Sequence, residues 1–440
     1  MEESLHLRGL AGYGNETMYP TASPTEQESF LKYEWWQYFI IPWVAGIVGY
    51  VTNVLSLEMM FYPVEFFGIE ILRIPTEPWG LIGWQGVVPT KAKKMASVCF
   101  DLMTEKLLNV KEIFGRLNPD KFSAVMEDGV LLMMDDIIND VAEEFMGDAW
   151  NNLPKEIRND IVVTAEGDAN EFLAGFMADL QNHCDDVMDL KAMSIRAVTE
   201  NKRLLIKMFQ ECGDKEFTFI RNSGFYFGFL FGIGQMCLFF FYDKAWVLPA
   251  AGFIVGWFTN FVALKIIFKP IEPVNICGYQ LQGIFLKRQK EVSEIYARVL
   301  CTEIVHIKAM FDDIFVGPLS GNFYAMLRAH TLVFTDKMTA ELKPLAIAAM
   351  GAEQFAAMKE AIAQKVMDEL PNIIDQCYEY ATEALGIEAE LRTKMMALSC
   401  AEFEGVLHPA FEEDEILLII VGAVLGAIVG VLQIFTIFQL

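Results

Sequence analysis

Apolar residues in this chain gather into four long runs, at 38–61, 224–242, 246–268 and 416–438. Each is near the roughly 20 helical residues needed to cross about 30 Å of hydrocarbon. The second run carries no charge from Phe225 to Tyr242, and its only polar side chains are Gln235 and its tyrosines. Asp243, Lys244 and Ala245 alone separate it from the third, which predicts a tight transmembrane hairpin with Tyr242 and Trp246 at the water-facing end. Four spans return the chain to the side on which it began and leave both long intervening segments on the other. Lys91, Lys93, Lys94, Lys202, Arg203, Lys207 and Arg221 flank the first segment, and Lys265, in the last turn of the third span, is followed by Lys269, Lys287, Arg288 and Lys290. The bias of basic residues toward the cytoplasm puts both segments there and both termini outside. The expected fold is an all-α, multi-pass integral membrane protein with four transmembrane helices and two large cytoplasmic helical domains.

Between the spans the pattern takes a helical period. Met95, Val98, Cys99 and Leu102 share one helix face, as do Val292, Ile295, Tyr296 and Val299, with acids dominating the opposite faces. Pro154, Gly351 and Pro371 mark breaks. The organisation read from this is an N-terminal arm at 1–37, a first unit at 38–242 with its helical domain at 91–221, and a second at 246–440 with its domain at 287–415. The arm begins Met1-Glu2-Glu3 and lacks the basic start and apolar stretch of a secretory signal, so it is expected to be disordered. Its Asn15-Glu16-Thr17 sequon would face out, open to glycosylation in a eukaryotic secretory membrane.

Composition sharpens the picture by its contradiction: 54% of residues are hydrophobic, yet the formal charge is −25. Segregation resolves it, since 25 acids stand against 16 bases in 91–221 and 22 against 12 in 287–415. A chain this acidic is a poor partner for nucleic acid, whose phosphates need a basic footprint. The eight cysteines show no C-x-x-C and read as reduced, buried thiols, and the five histidines show no metal-binding spacing. No metal or cofactor is expected. Asp135/Asp136 and Asp185/Asp186 are sequence neighbours that point to different helix faces, and no catalytic constellation stands out, so the chain is not expected to be an enzyme.

The chain repeats itself. Residues 45–53 align with 252–260 at an offset of 207, and the match runs from Pro42/Pro249 through Phe61/Phe268 and Pro63/Pro270 to Glu65/Glu272. Gln85-Gly86 then matches Gln282-Gly283 at 197, and Gly228, Gly232 and Gln235 match Gly426, Gly430 and Gln433 at 198. The pattern predicts an internal parallel duplication, with the copies related by a pseudo-twofold axis along the membrane normal.

Within the repeat, Gly49 and Gly256 precede Asn53 and Asn260 by one helical turn, so each pair shares a face. Small residues let another helix approach, and a carboxamide supplies an interhelical hydrogen bond. Packing is the first reading of Gly49, Thr52, Asn53, Gly256, Thr259, Asn260, Gly232, Gln235, Gly430 and Gln433. A substrate path is the second, with the Thr-Asn pairs as its best candidates, because polar residues at membrane depth are functional suspects. Glu58 stands opposite Lys265 at equivalent positions; an ion pair between them that fixes how the halves dock is one reading, and independent snorkelling of each charge to the interface is the other. Elbows rich in aromatics, Pro and Gly follow the first and third spans and suit the headgroup region.

The run Gly256, Thr259, Asn260, Ala263, Lys265, Phe268 and Pro270 resembles the membrane protein family known as domain of unknown function 445, as does the closing Gly-x-x-x-Gly-x-x-Gln. The first copy departs with Ser56 and Glu58. The resemblance implies membrane location and helical architecture, and no activity. The expected function is a membrane-anchored helical scaffold in contact with the lipid bilayer, with a protein partner for its acidic domains and scope for homo-oligomers. The alternative is a lipid or small-solute carrier or channel using the Thr-Asn motifs between the copies.

Overall fold

The computed structural model describes residues 34–69, 77–80, 82–152, 154–242, 244–276, 278–340 and 343–435. The expected arm, except for its last residues, and the sequon lie outside them. Helix α1 (Trp35–Phe61) opens on a capping box in which Glu34 and Gln37 satisfy each other's backbone N–H groups. It therefore starts three residues before the predicted span. An elbow of three short strands follows, β1 (Phe67–Ile69), β2 (Trp79–Gly80) and β3 (Ile82–Trp84), in the antiparallel order β1-β3-β2. Next come α2 (Ala92–Leu102), α3 (Pro119–Met146) and α4 (Lys155–Asn182). Helix α3 starts at an Asn118 cap with Pro119 in its first turn, where a missing N–H costs nothing.

Helix α5 (Lys202–Phe241) runs unbroken for 40 residues. The predicted span 224–242 is thus only the far end of a longer rod, because no proline or helix-breaking pair interrupts the charged stretch before it. The hairpin leads into α6 (Val247–Phe268), then a two-stranded elbow, β4 (Val274–Ile276) with β5 (Tyr279–Leu281). Helices α7 (Gln289–Glu303), α8 (Ser320–Met338), α9 (Ala352–Ile373) and α10 (Cys400–Gln433) follow, the last opened by a Ser399/Glu402 capping box.

Among the described residues, three helices are long and apolar enough to cross a membrane: α1, α5 and α6. The fourth expected span falls in α10, whose apolar stretch among the described residues is Leu418–Gln433. Among the described residues, regular structure outside the two elbows is helical.

Helix α1 packs along α5, and α6 along α10. Away from these pairs, 91–221 and 287–415 do not bury separate cores. Met126 and Val130 of α3, Leu173 and Phe176 of α4, Phe323 and Leu327 of α8, and Val366 and Leu370 of α9 all belong to one continuous cluster. Phe176 meets Phe323 edge-on at 5.7 Å, and Phe172 meets Phe334 at 5.0 Å. Charges follow the same crossing: Lys337 bridges Asp168 and Glu171, Lys365 pairs with Asp140, and Arg116 with Glu390. Part of the acidity of each half is thereby met by bases of the other.

Both predicted amphipathic faces are buried, with Met95 and Cys99 on α2 and Val292, Tyr296 and Val299 on α7, while Val98, Leu102 and Ile295 are half-buried. The seven described cysteines are free thiols. Burial pushes Cys99, Cys301 and Cys377 up to about 12, so they stay protonated and inert at neutral pH. Cys237 departs from the expected burial and is exposed on the outer part of α5.

Candidate functional site

The repeated glycines and asparagines form two matching helix contacts. Gly49 lies against Gly224, where a Cβ on either would collide with the other's backbone. Gly228 sits over Ala45 and Gly232 over Pro42. In the second pair Gly256 faces Gly422, Gly252 faces Gly426, and Gly430 rests on Leu248 and Pro249. With backbones this close, each asparagine reaches across: Asn53 Nδ2 donates to the Ile220 carbonyl at 2.7 Å, and Asn260 Nδ2 to the Leu418 carbonyl at 2.9 Å. The threonine hydroxyls turn back on their own helices, Thr52 to the Gly49 carbonyl and Thr259 to that of Gly256. Gln235 and Gln433 are buried further along the same small-residue stripes.

The asparagine contacts lie toward one end of the apolar zone. From Ile220 the helix runs about 31 Å to Phe241 at 1.5 Å per residue, a full hydrocarbon thickness. Arg221 is the next residue, so Asn53 meets α5 where its charged part begins.

The two pairs meet at a seam lined by Asn53, Ser56, Leu57, Ile220, Asn260, Leu264 and Leu418 around a cavity of about 10 Å³. That is about the room one water needs. Asn53 Oδ1, Asn260 Oδ1 and Ser56 Oγ are buried there without a hydrogen-bond partner. Next to it, a cavity of about 30 Å³ is lined by apolar side chains and Glu216.

The Glu58–Lys265 pair does not form. Both side chains are exposed, no ion pair joins them, and the Lys265 ammonium lies 5.7 Å from the Phe261 ring centre. A different set of charges joins the halves. Helices α5 and α7 run antiparallel through Lys207–Glu303 at 2.6 Å, Glu211–Arg298 at 3.0 Å, Lys215–Glu291 at 2.6 Å and Glu216–Arg288 at 2.5 Å. Glu216 is 4% exposed and Arg288 13%, so the last rung is the one shielded from water. Arg288 also bonds Glu291, and together with Lys215 it holds the Glu291 carboxyl down to about 2. The reciprocal contact sets α2 on α10: Cys99 Sγ points at the Val406 carbonyl, and Lys106 pairs with Glu402 at 2.6 Å, holding that carboxyl at about 2.

The sequence held a signal for the buried rung. Leu205, Phe209, Cys212, Glu216 and Ile220 fall on one buried face of α5, and a lone acid on an apolar stripe requires a buried cation opposite. Among the described residues, no three His, Cys, Asp or Glu side chains gather as a metal would require.

Comparison with known proteins gives short, distant matches. The chain is 26% identical over 99 residues to the UPF0754 membrane protein of Staphylococcus haemolyticus, covering 22% of this chain and 24% of that one. It is 30% identical over 78 residues to the UPF0754 membrane protein of Trichodesmium erythraeum, covering 18% and 17%. With that of Geobacillus thermodenitrificans it shares 29% over 80 residues, covering 17% and 21%. The aligned stretches thus span about a quarter or less of these relatives. No family model matches the chain, and no solved structure does. Taken with its three long apolar helices, these similarities make the chain an integral membrane protein distantly related to proteins that carry that name.

Proposed function

We propose that this is a non-enzymatic, membrane-anchored helical scaffold built from two duplicated units, with four spans and its large helical body on the cytoplasmic side. The observation that carries the reading is the use made of the intramembrane polar residues: each asparagine donates across its helix pair, at equivalent carbonyls. Side chains committed to holding helices together in this way are poor walls for a moving substrate, and the seam between the pairs encloses about 10 Å³. Duplication is supported by contacts that recur in register. Gln85 donates to the Val64 carbonyl as Gln282 does to Ile271, and the Gly86 N–H meets Pro63 as that of Gly283 meets Pro270. The basic residues flanking the body favour the cytoplasmic side. Its acid-rich surface favours a basic protein partner.

A carrier is the second reading, favoured by Asn53 Oδ1, Asn260 Oδ1 and Ser56 Oγ, which are buried and unpartnered at one cavity. Replacing both asparagines by alanine separates the two. The scaffold reading expects each lost hydrogen bond to weaken helix association by roughly 0.5–2 kcal/mol, seen as a lower melting temperature in detergent. A variant that keeps its melting temperature but loses a lipid or solute flux measured for the native protein in liposomes would establish the carrier instead.

A further inference from the structure

Each elbow leaves its membrane helix with apolar side chains facing outward. On the first, β1, β2 and β3 align Phe67, Trp79 and Trp84 across the strands, with Ile69 opposite Ile82 on the same face. Phe67 is 79% exposed. The other face is glycine, where Phe66 covers Gly83. On the second, Val274 pairs with Leu281, and both are about half exposed. Strand alternation puts Gln280 on the opposite face, where it borders a groove of about 830 Å³ between the hairpin and the start of α10. Lys287 and Lys290 line that groove with one acid, Glu272. Among the described residues, Lys287 Nζ bonds the Gln280 carbonyl and forms no ion pair, and Lys290 is exposed without one.

We propose that this groove seats the phosphate headgroup of an anionic phospholipid from the host bilayer. The hairpin begins six residues after Phe268, the end of a membrane-length helix, so its outward apolar face lies where acyl chains are the available cover. Two lysines against one carboxylate leave the polar side cationic, which suits a phosphodiester at that boundary. The open groove has room for a headgroup.

Native mass spectrometry of the full-length protein in detergent, offered phosphatidylglycerol and phosphatidylcholine of identical chains, tests this. The intact protein should retain the anionic lipid in preference. Lys287→Gln/Lys290→Gln should lower that preference roughly ten- to thirty-fold, at about five-fold for each lysine facing an anionic surface. Lys287→Arg/Lys290→Arg should preserve it, which guards against misfolding, and Lys93→Gln at the first elbow should leave it unchanged. Val274→Asp/Leu281→Asp should reduce retention of both lipids. Equal retention of the two lipids by the native protein, or an undiminished preference in the double glutamine variant, would overturn the proposal. Displacement of bound phosphatidylglycerol by inorganic phosphate would also overturn it, by marking the groove as a free-anion site.

Discussion

The α1–α5 and α6–α10 pairs share their interior and differ at their margins. Inside, glycine against glycine and asparagine against carbonyl recur at matched positions. At the margins, Glu58 on α1 stands where α6 has Lys265, α1 is followed by a three-stranded elbow and α6 by a two-stranded one, and α5 carries a ladder of ion pairs to α7. Interhelical contact in hydrocarbon depends on backbones touching, so one added carbon is disruptive there. Charges at the water boundary tolerate exchange, because exposed pairs contribute little. The exception is a charge that is at the margin yet buried, and the Glu216–Arg288 rung meets that description.

Arg288→Ala should therefore have the largest effect, because it strands Glu216 in an apolar setting. Loss of one partner of a buried pair costs about 3–5 kcal/mol, so thermal unfolding in detergent should show a large destabilisation. Lys207→Ala, on an exposed rung, should change little. Acid sharpens the same point. Glu291 is held from its ordinary 4.5 down to about 2 by Arg288 and Lys215, so its contribution is present above about 4.5 and is lost as the pH falls toward 2. A melting-temperature series should fall through that window in the native protein, and the fall should flatten in Arg288→Ala.

Next in size are the glycine contacts. Gly49→Leu and Gly256→Leu should each lose about 3 kcal/mol or more, since backbone faces backbone at both and neither can yield. The prediction is one of equality. If Gly256→Leu were tolerated while Gly49→Leu was not, the second pair would not be the packing equivalent of the first. Gly167→Leu, inside α4 with nothing near its Cβ position, is the control expected to be neutral or to stabilise by up to about 1 kcal/mol.

What the sequence made legible follows the same division. Three of the spans could be read because a run of that length with at most one charge has few uses, and Gly-x-x-x-Asn sets a glycine and an asparagine on one helix face. The continuity of α5 was hidden by Lys202, Asp214 and Arg221, whose charges suggest a boundary although the helical period persists through them. The shared core of 91–221 and 287–415 was also out of reach. Its contacts join side chains such as Phe176 and Phe323 that lie far apart in the chain, and periodicity reports only which face is buried.

The smallest expected effect concerns Glu58 and Lys265. Asn53 and Asn260 line one cavity, whereas Glu58 and Lys265 are exposed, with no ion pair between them. Glu58→Lys and Lys265→Glu should each shift stability by less than about 0.5 kcal/mol, and the double exchange should equal their sum. A coupling above about 1 kcal/mol in that cycle would mean that the halves dock more closely at this level than the seam allows.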